Sequence, residues 1–469
     1  MRGWSPYLVV FLILLGGGGC SLHGSHMEQA ALELPAVFVE AGAQDSAASP
    51  LGRWWEAFAD PALNALMTEA LVNNLDVLKV RARLAQFEAL AQGSRAALFP
   101  TLNLGGKAGR AHSQGASGEF TGSSQALSVA AVYEVDLWQK LKATSDAAGF
   151  VALASRQDLK ALYMQLTAQV ADHYYLVREK QAQLALLDSM IDALTDKLQR
   201  VEARYRQGVA AAIDVYQARQ NLLEVQQAKP LQQAAQARAS HALALLLGRF
   251  PADNIAPDLI EIPPAPAAFP AGLPATLLTN RPDIEAAFLR LRARDQEIGA
   301  AVAKRFPALN LLADYGASRV DLGAAIVSGS FWNIGAELSQ SLFDAGRRKA
   351  EVSRTEAVFA EQLAGYRQVV LNAVREVEDA LAGNRATEQQ LALLVDHEQA
   401  AAAALELASN DYFQGLSDYL PVLVAQQAHF KSKSSVLAAR RQLLADRISL
   451  ARALGGTWPD QLLQNEKKL

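Results

Sequence analysis

Cys20 is the only cysteine in the chain. No disulfide can form within it, and no thiol nucleophile lies beyond the N-terminal leader. The 7 histidines include no helical pair four residues apart that could grip a metal, and there is no Gly-rich phosphate loop. The 5 methionines are scattered, so no Met-rich metal path is present. A net charge of -4 leaves no basic footprint for nucleic acid. Aromatics make up only 7% of the chain, and the one pronounced apolar run, Tyr7 to Leu15, falls short of the roughly 20 residues a spanning helix needs. These absences argue against an enzyme, a metal or cofactor protein and a helical membrane protein.

What is present begins with an export signal over 1–19. Arg2 supplies the positive end, Tyr7 to Leu15 the apolar core, and Gly16 to Gly19 the small-residue exit. Cys20 follows directly, which reads as a lipid attachment site that would make the chain a lipoprotein. Gly17 stands where such sites usually carry leucine, and Ser21 is compatible with sorting to the outer membrane. Gly24-Ser25-His26-Met27 matches a cloning remnant, and residues 20–50 read as a lipidated, extended segment outside the fold.

The body is organised around a heptad seam at Leu184, Leu187, Ile191, Leu194, Leu198, Val201 and Tyr205, the signature of a left-handed coiled coil. It recurs 207 residues on (391 minus 184) at Leu391, Leu394, Glu398, Ala401, Leu405, Ala408 and Tyr412. Glu398 and the alanines weaken the second copy. Both copies stop at Gln-Gly, at Gly208 and Gly415. Asp76 and Asp283, Phe99-Pro100 and Phe306-Pro307, and Leu247-Gly248 and Leu454-Gly455 keep the same offset. The chain is therefore a tandem duplication. It divides into a first repeat over 51–249, a Pro-rich connector over 250–274, a second repeat over 275–456 and a tail over 457–469.

Each repeat reads as helix, β-hairpin, long helix and return helix. Asp60-Pro61 is a helix start, with apolar spacing onward to Leu98. From Thr101 the period is two, then a Gly/Ser-rich loop is expected over 113–124 before a second strand through Leu127, Val129, Ala131, Tyr133 and Val135. A helix follows from about Trp138 to Tyr205, about 100 Å long at 1.5 Å per residue. Another returns to Leu247, with Pro230 a kink or cap. In the second repeat, Leu309, Leu311, Ala313 and Tyr315 oppose Asn310 and Asp314, and Trp332, Ile334 and Leu338 oppose Asn333 and Glu337. One lone hairpin is marginal in water, so the two hairpins must pair. An apolar face opposite a wet one suits a transmembrane barrel strand or a half-buried soluble sheet. Four strands cannot close a barrel, so the barrel reading requires an oligomer.

Several motifs carry a family resemblance: Trp54-Trp55-x-x-Phe58-x-Asp60-Pro61, Tyr133-Glu134-Val135-Asp136-Leu137-Trp138, Arg204-Tyr205-x-x-Gly208, Arg281-Pro282-Asp283-Ile284 and Leu342-Phe343-Asp344-x-Gly346-Arg347-Arg348. They resemble the TolC-type outer-membrane efflux ducts, and within them the lipoprotein branch (OprM- and NodT-like), over about 50–460. The resemblance implies a mainly α fold with β: three copies would share one 12-stranded transmembrane β-barrel and one long α-helical coiled-coil barrel. It implies a homotrimer anchored in outer-membrane lipid, working with a periplasmic adaptor (membrane fusion) protein and an inner-membrane pump of the resistance-nodulation-division (RND) type.

By the same resemblance, Gly208 and Gly415 lie where the hairpin tips meet the adaptor, and Asp214 and Tyr412 can hydrogen-bond across a closable mouth. The family's acidic ring is missing, with Pro421 and Val424 at its positions and Gln427 where an arginine is usual. The mouth is then expected to close on Leu420 and Val424, with Asp418 supplying charge. Two alternatives stand beside an ordinary exporter of drugs or organic solutes: a lipid-anchored periplasmic coiled-coil scaffold without a channel, and the duct of a metal-efflux system.

Overall fold

The computed structural model describes residues 24–41, 52–115, 118–251, 261–321 and 325–456. Cys20, the signal and the C-terminal tail lie outside them.

Asp60 starts the helices: its carboxylate accepts the N–H groups of Ala62 (3.0 Å) and Leu63 (3.3 Å), with Pro61 at the first helical position. Helix α1 (Pro61–Asn73) does not continue to Leu98 as its apolar spacing predicts. The chain breaks at Asn74 and restarts as α2 (Leu75–Ala96). Asn74 Oδ1 caps the new helix through the N–H groups of Asp76 (2.9 Å) and Val77 (3.2 Å), while its Nδ2 donates to the Leu246 carbonyl (2.9 Å). Strands β1 (Thr101–Gly115) and β2 (Gly118–Val135) follow, then α3 (Lys140–Arg206) and α4 (Ala212–Leu246), which continues through Pro230. A turn at Leu277–Asn280 leads to α5 (Pro282–Ala303), β3 (Ala308–Asp321), β4 (Ile326–Ser339), α6 (Arg347–Gln414) and α7 (Leu420–Ala453). The 207-residue offset carries α2, α3 and α4 onto α5, α6 and α7 to within one residue at either end.

The chain divides into two units. One comprises residues up to 32, 83–156 and 286–368; the other comprises 33–82, 157–285 and the residues from 369 onward.

The first unit holds an antiparallel sheet in the order β1-β2-β3-β4. β2 pairs with β3, so the hairpins of the two repeats join, with Val129 opposite Tyr315 and Leu127 opposite Ala317. The expected loop over 113–124 is mostly strand: the β1–β2 ladder continues through Gly109↔Ser124 to Gly115↔Gly118, cross-strand pairing overriding the weak strand preference of Gly and Ser. Because side chains alternate, one face carries Leu102, Leu104, Leu127, Val129, Tyr315, Trp332, Ile334 and Leu338, all exposed. The other carries Asn103, Ser128, Glu134, Asn310, Asp314, Asn333 and Glu337. Trp138 Nε1 donates to the Pro307 carbonyl (2.7 Å), fixing the end of one hairpin to the start of the other. The N-terminal residues are not free of this unit: Ser25 Oγ (3.0 Å) and the His26 N–H (2.9 Å) both reach the buried carboxylate of Asp295.

In the second unit, Asn74 and Arg281 occupy the same repeat position and do the same job. Arg281 donates to the Ala453 carbonyl (3.1 Å), as Asn74 does to that of Leu246. It also binds Asp283 (2.7 Å) and Glu376 (2.9 Å). Asp60, besides capping α1, pairs with Arg178 (2.8 Å) and accepts from Tyr174 Oη (3.0 Å), all three buried. Phe38 is buried here, and Glu378 accepts the N–H groups of Val39 (2.7 Å) and Glu40 (2.9 Å). The segment read as extended thus makes specific contacts at Ser25, His26, Phe38, Val39 and Glu40.

Candidate functional site at the helix tips

Both long helices end the same way. Gly208 has φ +75° and Gly415 φ +79°. The Gly208 N–H bonds back to the Tyr205 carbonyl and that of Val209 to Arg204; at the other tip Gly415 bonds to Tyr412 and Leu416 to Asp411. These are Schellman closures, which need a left-handed residue and therefore favour glycine. A Cβ at either glycine would meet open space, so the backbone turn is what selects glycine there.

Asp214 and Tyr412 are brought together. Asp214 lies in the first turn of α4, and Tyr412 in the last turn of α6, with its hydroxyl donating to Asp214 Oδ2 at 3.1 Å. The bond ties the first helical hairpin (α3 and α4) to the second (α6 and α7) within one chain. Tyr412 is 4% exposed and packs in a cluster with Val201, Ala218, Tyr419 and Val422. Its ring meets that of Tyr419 edge-on at 5.1 Å. Arg204 sits over the ring, 5.3 Å from its centroid, and donates to the Phe413 carbonyl (2.9 Å). Burial first, then the negative charge of Asp214 and its hydrogen bond, push the Tyr412 hydroxyl up to about 12. It is therefore a neutral donor across the physiological range.

Leu420 and Val424 do not join this cluster. They are 57% and 59% exposed, one helical turn apart on α7, while Val422 between them is fully buried. Within one chain the Leu420 and Val424 side chains form an unburied apolar edge beside the buried Tyr412 cluster. Pro421, Asp418 and Gln427 are exposed as well.

Four contributors escape the sequence reading. Arg204 was visible only as part of a motif. Tyr419 carried no signal beyond its closeness to Gly415. Asn221 and Gln426, both buried, hydrogen-bond at 3.1 Å between α4 and α7, and nothing local marks that pairing. Asp172 and His173, adjacent on α3, make structural contacts: Asp172 binds Arg441 (2.6 Å) and His173 its own helix through the Gln169 carbonyl (3.0 Å). Among the described residues no group of acids, histidines and cysteines could hold a metal, and no helix is long and apolar enough to cross a membrane.

The comparisons with known proteins fit this architecture. The chain is 33% identical over 462 residues to the solvent efflux pump outer membrane protein SrpC of Pseudomonas putida, covering 95% of this chain and 97% of that protein. It is 30% identical over 465 residues to the outer membrane protein OprJ of Pseudomonas aeruginosa, covering 96% and 95%. Its fold matches the structure of the outer-membrane channel OprN with a TM-score of 0.87 at 27% identity, covering 93% of this chain and 99% of that one. The profile of the outer membrane efflux proteins matches twice, over 66–249 and 273–456, once per repeat. The chain belongs to the outer membrane efflux protein family.

Proposed function

We propose that this chain is the outer-membrane exit duct of a tripartite efflux system, conducting solutes passively and catalysing nothing. The observation that carries the reading is the sheet: four strands with β1 and β4 as its edges, one face apolar and the other polar. Unpaired edges cannot remain in a hydrocarbon phase, and four strands are too few to close on themselves. Three copies joined β4 to β1 make a 12-stranded cylinder whose apolar face meets lipid and whose Asn, Asp and Glu side chains line water. Lipid on Cys20 adds an anchor on the periplasmic side. The long helices then wall a periplasmic passage, and the tips form its mouth.

At that mouth Tyr412 and Asp214 hold the two hairpins of a chain together, and Leu420 and Val424 meet their counterparts around the axis as an apolar closure. The Gly208 and Gly415 turns dock a periplasmic adaptor protein, through which an inner-membrane pump of the RND type delivers cargo. Relatives are named for efflux of solvents, toluene and antibiotics, which supports small organic molecules as the cargo here.

The test is assembly. The protein purified from outer membranes should run as an SDS-resistant, heat-dissociable trimer and image as hollow particles with threefold symmetry. Trp332→Arg, a charge on the outward face, should cost about 2–4 kcal/mol at mid-membrane and strip the trimer from the outer-membrane fraction. A soluble monomer or dimer from the wild type would sink the duct.

A further inference from the structure

The two hairpins are copies, so a position where one is apolar and the other titratable stands out against its own control. In the first hairpin, seam residue Ile191 and Leu222 of α4 belong to one apolar cluster with Leu187, Leu194 and Val225. Moved by 207 residues, those positions are Glu398 on α6 and His429 on α7. The second hairpin has exchanged a hydrophobic contact for an acid facing an imidazole.

The exchange is not a surface event. The side chains of His429 and Glu398 are only 16% and 24% exposed, and His429 Nδ1 lies 3.8 Å from Glu398 Oε1. That is too far for a hydrogen bond, and Nδ1 is buried without a partner. The next residue, Phe430, packs into the first hairpin's cluster, so the site borders the contact between the hairpins. The charges acting on the ring are Lys433, one turn on along α7, and Glu398 across on α6.

We propose that Glu398 and His429 form a proton-binding site that weakens the seam of the second hairpin, and of that hairpin alone, on acidification. A proton on the imidazole puts a cation in a poorly solvated gap, beside Lys433 and at a distance from Glu398 that gives no hydrogen bond. Burial and then Lys433 hold the imidazole below its ordinary value, and Glu398 only partly offsets them. A histidine whose folded value is depressed stabilises the folded form above the unfolded value. That contribution falls away as pH drops from about 6.5 toward the folded value. Acid therefore loosens α6 against α7, while the hydrocarbon pair in the first hairpin has nothing to titrate.

Hydrogen exchange on the full-length protein decides it, comparing peptides around 398 and 429 with those around 191 and 222 at pH 7.5 and 5.5, after correction for intrinsic rates. The expected result is a rise of several-fold in the second hairpin and no change in the first. The double variant Glu398→Ile with His429→Leu, which installs the first hairpin's pair, should remove the rise. His429→Gln, polar but not titratable, should remove it as well, and serves if the double variant packs poorly. An equal rise in both hairpins, or a rise that survives His429→Gln, would overturn the proposal.

Discussion

The first and second helical hairpins share length and stop signal, yet they differ where the chemistry is. Tyr205 and Tyr412 occupy one repeat position. Tyr205 is half exposed, whereas Tyr412 is buried on Asp214. The partner explains the difference: the position equivalent to Asp214 is Pro421, which has no acceptor to offer Tyr205. Ile191 with Leu222 against Glu398 with His429 follows the same trend, as does Asn74 against Arg281. Duplication preserved the scaffold, and divergence then placed the polar, breakable contacts mainly in or against the second copy. The proposed mouth, which would open one joint without dissolving the rest, needs that kind of asymmetry.

The largest effect should come from the equivalent pair at the repeat ends. Arg281 is 4% exposed and serves Asp283, Glu376 and the Ala453 carbonyl at once. Arg281→Ala leaves Asp283 without its cation and Glu376 with only the more distant Arg452 (3.7 Å), and should cost about 3 kcal/mol. Asn74→Ala, at the same place in the first repeat, loses a helix cap and one hydrogen bond and should cost about 1 kcal/mol. Denaturant titration of the two variants side by side checks the ratio. Equal losses would mean that the two positions are interchangeable and the asymmetry is cosmetic.

The Asp214–Tyr412 bond is the middle case. Tyr412→Phe removes one hydrogen bond, worth about 1 kcal/mol, and leaves Asp214 unsatisfied. Tyr205→Phe removes nothing buried and should be silent. In planar bilayers Tyr412→Phe and Asp214→Asn should each raise conductance, and the double variant should add little, because both break the same bond. The pH sign follows from the raised hydroxyl. A tyrosine whose folded value lies at about 12 rather than 10.0 stabilises the folded form below pH 10, and that contribution is lost as pH climbs through the folded value. Alkaline opening in that window should be present in the wild type and blunted in Tyr412→Phe.

Much of this was legible in the sequence, and the exceptions share a cause. The heptad seam as far as Val201, the Gln-Gly stops and the alternating strands are periodic or local signals, and they read correctly; the last seam residue of the first copy, Tyr205, is half exposed. The break at Asn74 did not, because apolar spacing runs on across it and the Asn74 side chain answers to the Leu246 carbonyl, far away in sequence. The strand at 113–115 and 118–124 was hidden by a loop-like composition that only the hairpin ladder overrules. At the tips, two tyrosines in one motif position read alike. Which one is locked depends on a residue in a different helix, and such information is tertiary.

The smallest effect on stability should come from Leu420 and Val424, and there the comparison is sharpest. Their neighbour Val422 is fully buried in the cluster that holds Tyr412, so the inner face of α7 is committed to the fold. The outer edge is not. Exposed apolar side chains contribute little to a single chain, so Leu420→Ser and Val424→Ser should shift unfolding by no more than about 0.5 kcal/mol. Val422→Ala, two residues away, should cost more than 1 kcal/mol through the cavity it leaves. If the outer pair closes the mouth, the serine variants should nevertheless raise conductance as much as Tyr412→Phe does. Loss of a seal between copies and loss of a bond within one would then be separated by stability alone. Serine variants with wild-type conductance would assign closure to the Asp214–Tyr412 lock and leave the apolar edge for the adaptor to cover.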